Sequence, residues 1–310
     1  MKISIIGAGF VGSTTAYRLV ERKMCHELVL FDVNEGIAKG KALDLRQAAP
    51  FLSSDVVIFG TSDYKQMANS NIVIITAGSP RLPGMSRDDL LVKNASIMKS
   101  IVPQIVKYAP NCIIICVTNP LDIITYLVYK LSGFDSSRVI GMAGLLDSVR
   151  FKAFLAEKLN VSASQIQTMV LGTHGDTMIP LINHTFVAGI PLKDLMSKKD
   201  IEASVDRTRH AGAEIVAHLK TGSAYFAPAG SIFEMVQAIV RNQRRIVPAS
   251  AYLQGEYGFK NVYLGVPVKL GANGLEEIVE INLSDSERKA LTKAYAHVQG
   301  MIKALIHNRI

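Results

Sequence analysis

The chain has no tryptophan, only three cysteines among its 310 residues, and no apolar run long and unbroken enough to span a bilayer. Each shortage removes a class of protein. Cys25, Cys112 and Cys116 are odd in number and either far apart or inside an apolar run, so they suggest neither a disulfide framework nor a metal-ligand cluster. A reducing compartment, the cytoplasm, is expected. His-x-x-Glu-His and Cys-x-x-Cys spacings are also missing, and no metal is expected. Met1-Lys-Ile-Ser-Ile-Ile-Gly7 leads directly into a strand and a glycine turn rather than reading as a targeting segment. A net charge of +8 raises the question of nucleic acid. The basic residues are scattered, however, and the densest group, Arg241-Asn-Gln-Arg244-Arg245, is short. No aromatic residues interleave with it as single-strand binding requires. Neither a nucleic acid nor a membrane is expected as a partner. The charge fits a field that attracts anionic substrate and cofactor, or plain solubility.

What is present is a globular profile, 49% hydrophobic and 19% charged, long enough for one large or two ordinary domains. Strand and helix patterns alternate through the first half. Strands are expected at 2–6, 27–31, 56–59, 72–76 and 111–117, and helices at 11–20, 36–48 and 88–108, the last kinked or restarted by Pro103. The run Asn111–Val117 is almost entirely Ile, Cys and Val, as in a strand buried on both faces. Such alternation predicts a parallel sheet with right-handed crossovers and helices on both sides. After Met142 the texture changes. Helices are expected at 145–159, 201–219 and around 232–240, a single strand at 166–171, and β-rich stretches at 246–253 and 261–270. Ala272-Asn-Gly274 marks a tight hairpin, and Ser284-Asp-Ser-Glu287 a capping box that opens a C-terminal helix. Two closely joined domains are expected, residues 1–142 and 143–310.

Gly7-Ala8-Gly9-Phe10-Val11-Gly12 follows the first strand and opens the first helix. The first glycine permits a tight turn, the second lets backbone amides approach a pyrophosphate, and the third allows close packing of helix on strand. Asp32 ends the second strand twenty residues later. An acid there accepts hydrogen bonds from ribose hydroxyls and repels a 2′-phosphate, and neither Val33 nor Asn34 would welcome that phosphate, so NAD is favoured over NADP. The alternative for Asp32 is a simple helix cap. A Pro/Gly-rich loop, Ala77-Gly-Ser-Pro-Arg81-Leu-Pro-Gly-Met-Ser-Arg87, carries two arginines whose planar donors match carboxylates. It reads as a lid over a small anion, or as two solvated surface arginines. Thr118-Asn119-Pro120-Leu121-Asp122 closes a strand at the sheet edge where ligands bind, or merely starts a turn. Asp147 and Arg150 share one helical face, as an ion pair or as part of a site. His174, in the turn Thr173-His-Gly-Asp176, is a candidate acid/base or polar surface.

Taken in order, the glycine turn, Asp32, Arg81 and Arg87, Asn119, Asp147-x-x-Arg150 and Thr173-His-Gly-Asp176 resemble the lactate/malate dehydrogenase family from end to end, most closely its prokaryotic, lactate-dehydrogenase-like malate branch. The resemblance implies a Rossmann-type doubly wound α/β domain followed by an α+β substrate domain, with NAD as cofactor and malate and oxaloacetate as substrates. It also implies a homo-dimer or homo-tetramer. By the same resemblance His174 moves the hydroxyl proton, Asp147 orients the imidazole, Arg150 clamps the C1 carboxylate, Arg87 polarises the carbonyl and Asn119 positions the reacting oxygen. Arg81 stands at the substrate-discriminating position, where lactate enzymes typically carry glutamine. Gly7 to Gly12, Asp32, Asn94 and Val117, Thr118 and Asn119 would contact the cofactor. Ser223-Ala224 stands where lactate enzymes place a threonine, which agrees with the malate branch.

Overall fold

The computed structural model describes residues 1–80, 87–175 and 177–307, with the backbone alone for Arg87, Asp88, Ile306 and His307. Arg81 therefore lies outside the described residues, as do Asp176 and the side chain of Arg87. The first part of the chain is built on the strands β1 (Lys2–Ile6), β2 (Glu27–Phe31), β3 (Val57–Thr61), β4 (Ile72–Ile75), β5 (Ile113–Cys116) and β6 (Val139–Gly141). They stand in the order β3-β2-β1-β4-β5-β6, each parallel to its neighbours. Ile3, Ile5, Ile72, Ile74, Ile114 and Ile115 are fully buried, because helices cover both faces of such a sheet. Those helices are α1 (Phe10–Glu21), α2 (Glu35–Ala48), α3 (Arg87–Tyr108) and α4 (Leu121–Ser132). The order reverses between β1 and β4, and a crevice opens there beyond the carboxyl ends of the strands. This is the doubly wound, Rossmann-type sheet that the alternation predicts.

The second part opens with α5 (Gly144–Leu159) and continues through β7 (Ile166–Gln167), β8 (Val170–Gly172), β9 (Met178–Pro180), β10 (Phe186–Val187), β11 (Ile190–Pro191) and α6 (Leu192–Leu195). The helices α7 (Lys198–Leu219) and α8 (Phe226–Val240), the long strands β12 (Arg245–Gln254) and β13 (Lys260–Gly271), the strand β14 (Gly274–Ile278) and the helix α9 (Asp285–His307) complete it. The large sheet runs on from β6 into β12, β13, β8 and β9, now antiparallel. Ser250 of β12 faces Gly141 of β6 at that junction. Phe151, Leu155, Ile166, Val170 and Met178 gather in a core of their own. Phe151 and Leu155 lie four and eight residues after Asp147, on the same face of α5. Burying each of these side chains is worth about 1.5–3 kcal/mol, and that burial fixes the direction in which Asp147 points.

The predicted boundaries meet three differences. The expected strand 166–171 is two strands: β7 pairs with β10 in a small sheet, whereas β8 pairs with β9 and β13. Between them the side chain of Thr168 turns to the Thr185 hydroxyl, 2.8 Å away. The helix α4 is absent from the predicted elements, because the Asn-Pro pair ahead of it marks a turn; its residues Leu121–Val128 are all buried. Pro103 neither restarts nor interrupts α3, which runs through it as one element. The hairpin and the capping box stand where the residues place them: Gly271 pairs with Gly274, and Glu287 accepts the Ser284 N–H at 2.9 Å.

Candidate active site

The glycine turn joins β1 to α1. Gly7 has φ +107°, and a Cβ there would lie 2.7 Å from the Ala77 nitrogen. A Cβ on Gly12 would lie 1.9 Å from the Gly7 carbonyl oxygen, whereas one on Gly9 would meet nothing within 4 Å. The turn is thus tight on its inner side and open at Gly9. No side chain caps α1 at Gly9, so the first amides of that helix face outward with their partial positive charge unspent. Asp32, at the end of β2, accepts the Ala8 N–H at 2.8 Å and the Asn34 N–H at 3.0 Å. The cap of α2 is Asn34, whose side chain accepts from Ile37, so Asp32 is free of that duty. Gly7, Gly9, Asp32, Ala77, Gly78 and Ser79 line a cavity of about 500 Å³. Ala8 is buried and Val11 half-buried, while Phe10 is exposed and stacks on Tyr225 with ring centres 5.2 Å apart.

At the end of β5, the Val117 N–H reaches the Ile75 carbonyl at 3.0 Å and the Thr118 hydroxyl reaches the Ala77 carbonyl at 2.7 Å. The strand end is thereby tied to the segment that leads into the arginine loop. Asn94 of α3 tightens the same junction. Its side chain, 1% exposed, accepts the Ser79 N–H at 2.7 Å and donates to the carbonyls of Asn119 at 2.6 Å and Ser79 at 3.3 Å. Ser79 lines the cavity beside the glycine turn, and Asn119 lines a second cavity of about 400 Å³. Asn94 spans the wall between them, with its amide spent on backbone.

The second cavity meets the candidate acid/base. His174 and Asn119 border it together with Leu91, Asp122 and, from α9, His297 and Met301. Asp147, in the first turn of α5, places one carboxylate oxygen 2.8 Å from His174 Nδ1. The other oxygen is 3.5 Å from an Arg150 guanidinium nitrogen. The Arg150 side chain is 13% exposed, and its Nε is buried with no hydrogen-bond partner among the described residues. A buried, unsatisfied guanidinium donor is costly unless an acceptor joins it, and a carboxylate supplies that acceptor in matching geometry. Burial alone would press the proton affinity of His174 down. The charge of Asp147 and its hydrogen bond, with a further contribution from the charge of Asp122, outweigh that burial and the opposing charge of Arg150, and the net direction is upward. For Arg150, burial lowers proton affinity and Asp147 opposes it.

Asp122 was read only as the end of a turn motif. It lies in the same cluster, bound to the Ser250 hydroxyl at 2.6 Å and to the His174 N–H at 3.3 Å. No local pattern marks it, because both partners are more than fifty residues away. A larger cavity, about 740 Å³ between β9, α7 and α9, contains none of these groups.

Two family models cover almost the whole chain: the lactate/malate dehydrogenase NAD-binding domain matches residues 1–141, and the lactate/malate dehydrogenase alpha/beta C-terminal domain matches residues 145–308. A malate dehydrogenase of Chlorobium limicola is 52% identical over 299 residues, 96% of each chain. A malate dehydrogenase of Bacillus israeli is 53% identical over 307 residues, 98% of each. Among solved structures, the malate dehydrogenase of Cryptosporidium parvum superposes with a TM-score of 0.96 at 42% identity, covering 99% of both chains. The lactate dehydrogenase of the same organism, complexed with lactic acid and nicotinamide adenine dinucleotide, gives 0.94 at 40% identity over 98% of this chain and 97% of that one.

Proposed function

The chain belongs to the lactate/malate dehydrogenase family, and from that premise we propose that it interconverts (S)-malate and oxaloacetate with NAD, using His174 as the proton acceptor and donor. The observation that carries this reading is the linked set of His174, Asp147 and Arg150, with the imidazole at the wall of a cavity and 2.8 Å from a buried carboxylate that also meets Arg150. Facing that carboxylate, Nδ1 carries the proton and leaves Nε2 to exchange one with the substrate hydroxyl. Asp147 holds this tautomer and stabilises the imidazolium that forms in malate oxidation. Arg150, with its buried unpartnered Nε, takes the C1 carboxylate, and Asn119 holds the reacting oxygen.

The cofactor site has the features that a dinucleotide needs. Open space at Gly9, an uncapped helix start and a carboxylate at Asp32 suit a pyrophosphate and an adenosine ribose. When bound, NAD supplies the two-electron acceptor for the C2 hydrogen of malate. Residues 1–142 hold it, with Gly7, Ala8, Gly9, Phe10, Val11, Gly12, Asp32, Val117, Thr118 and Asn119 around the site. Asn94 acts there through the backbone it ties together. Residues 143–310 supply His174, Asp147 and Arg150.

Choice between malate and lactate rests on Arg81. The fold itself does not separate the two, since malate and lactate dehydrogenases superpose on this chain almost equally well. A second carboxylate pairs with Arg81, while Arg87 polarises the carbonyl. With pyruvate in the site, Arg81 would be enclosed without a partner, at a cost of about 3–5 kcal/mol. That is roughly two to four decades in kcat/KM at about 1.4 kcal/mol per decade. Comparing kcat/KM for oxaloacetate and pyruvate with NADH tests this directly. An oxaloacetate preference of a hundredfold or more is expected. Equal rates, or a pyruvate preference, would leave a lactate or broader 2-hydroxyacid dehydrogenase in its place.

A further inference from the structure

The segment that carries His174 leaves β8 at Gly172, φ +85°, and reaches Gly175 at φ +151°, conformations that favour glycine. The Thr173 and Thr177 hydroxyls bond across the turn. Asp147 fixes the ring, but a ring held by one bond at Nδ1 still swings with its backbone. The backbone N–H of His174 is held from outside the segment, by Asp122 in the first turn of α4 at 3.3 Å. The other Asp122 oxygen accepts the hydroxyl of Ser250 on β12 at 2.6 Å. Ser250 is fully buried, and its approach depends on Gly141, where a Cβ would sit 2.8 Å from the Ser250 Cβ.

Asp122 is 4% exposed. Burying a carboxylate is costly, and a neutral side chain of the same shape would serve packing more cheaply. What the charge adds is a charge-assisted acceptor for one backbone amide, 3.3 Å away. It sets that amide relative to Asn119, three residues earlier in the chain. We propose that Asp122 is a positioning residue for His174: its carboxylate, steadied by Ser250, fixes the His174 backbone against the entrance of α4, so that the group that holds the substrate oxygen and the group that moves its proton share one anchor. This rests on the role given to His174 above. The charged and titratable described groups facing His174 are Asp147 and Arg150 from α5, Asp122 from α4 and, across the cavity, His297 from α9. Removing the Asp122 charge therefore loosens the backbone and also takes one of two negative charges from the imidazole.

The test compares full-length wild type, Asp122→Asn and Ser250→Ala. NADH affinity is measured by fluorescence and Tm by scanning calorimetry. For oxaloacetate reduction, kcat and KM are measured, together with the pH dependence of kcat/KM. A displacement of about 1 Å at a reacting group costs on the order of a hundredfold, so Asp122→Asn should lose about 10- to 100-fold in kcat. NADH affinity should stay within twofold, KM should change little, and the alkaline fall of kcat/KM should begin at lower pH. Ser250→Ala, which leaves the His174 bond but not its support, should lose less, in the same pattern. Unchanged kcat and unchanged pH break in both variants would overturn the inference. So would a loss of kcat that only tracks lost NADH binding and lowered Tm. Should Asp122→Asn fail to fold, Ser250→Ala decides by the same criteria. A wild type that cannot oxidise NADH with oxaloacetate would sink the proposed reaction itself; an active wild type with an unaffected Asp122→Asn would sink only the role of Asp122.

Discussion

Replacing Asp147 by asparagine isolates the electrostatic half of the His174–Asp147 pair, since the new side chain has nearly the same shape. The carboxylate oxygen is 2.8 Å from Nδ1, which puts the charge centres about 4 Å apart. At an effective dielectric of about 20, that separation corresponds to about 4 kcal/mol, or roughly three units of histidine proton affinity at about 1.36 kcal/mol each. Two further effects act in the same direction. Burial lowers the proton affinity of His174 and is then opposed by the smaller contribution of the Asp122 charge, and the Arg150 charge, which also lowers it, loses its partner at 3.5 Å. In the proposed reaction, oxaloacetate reduction starts from the protonated imidazole, so its kcat/KM is flat below the histidine pKa and falls above it.

The expected outcome at neutral pH is a fall of about 10³ in kcat/KM for reduction, at about 1.36 kcal/mol per decade, with the break in the pH profile moved to lower pH. Oxidation of malate at the same pH must fall by the same factor as long as the affinities for NAD and NADH are unchanged, because the mutation cannot alter the overall equilibrium. Stopped-flow NADH oxidation and steady-state malate oxidation, each from pH 5 to 9, provide the measurements. A loss smaller than tenfold with an unmoved break would refute the pair as the source of the proton chemistry. Unequal losses in the two directions would show that cofactor binding, not proton transfer, had been damaged.

Further outcomes follow from neighbouring residues. Burial pushes the Asp122 carboxyl up to about 6, only partly countered by its hydrogen bonds to Ser250 and His174. A raised folded-state value means that this group's contribution to stability is complete below the unfolded carboxyl range and is lost as pH rises through about 6. From the ordinary 3.8 to about 6, the charged form weakens the fold by about 3 kcal/mol above pH 6. Asp122→Asn should accordingly keep or raise Tm at pH 8 and lose that advantage at pH 5, and an equal drop in Tm at both values would contradict the buried-charge argument. Asn94→Ala strands the Ser79 N–H and the Asn119 carbonyl, at about 1–3 kcal/mol for each buried group. A lower Tm, weaker NADH binding and a kcat reduced at least tenfold are expected, and normal turnover would show that the two cavities need no tie. Arg81→Gln should reduce oxaloacetate turnover by two decades or more while sparing pyruvate (substrate profiling is the assay); a parallel loss on both substrates would make Arg81 structural.

Features whose constraints are local were legible in the sequence. Gly12 has to be glycine because of the Gly7 carbonyl five residues away, and that contact is contained in the motif's spacing. The same holds for the capping box at Ser284 and Glu287 and for the buried strands, whose apolar runs need no partner to be recognised. Legibility failed where tertiary context supplies the meaning. Helix α4 starts directly after the Asn119-Pro120 turn signal, and only its burial from Leu121 to Val128 shows that the chain continues as a packed helix. The strand expected at 166–171 divides because its two ends answer to different partners, β10 on one side and β13 on the other. The family likeness places Asn94 at the cofactor, but its backbone partners at Ser79 and Asn119 are visible only in the fold. Asp147 and His174 stand 27 residues apart; no spacing rule pairs them, and it was the family resemblance that joined them before the geometry did.

The charges around His174 form a balance that neither carboxylate achieves alone. A reversible dehydrogenase needs its imidazole neutral in one direction and protonated in the other, so neither form can be strongly excluded near working pH. Burial dries the site but favours the neutral ring. In the role proposed for it, Arg150 has to be close in order to hold the C1 carboxylate of the same small molecule, and its charge pushes further in that direction. Asp147 opposes both, and Asp122 adds a second negative charge from the backbone side. When substrate arrives, its carboxylate neutralises Arg150, and the balance shifts towards the protonated ring at the moment when oxaloacetate reduction requires it. On this argument the cost of burying Asp122 has a function: it offsets a cation that substrate recognition places too near a base.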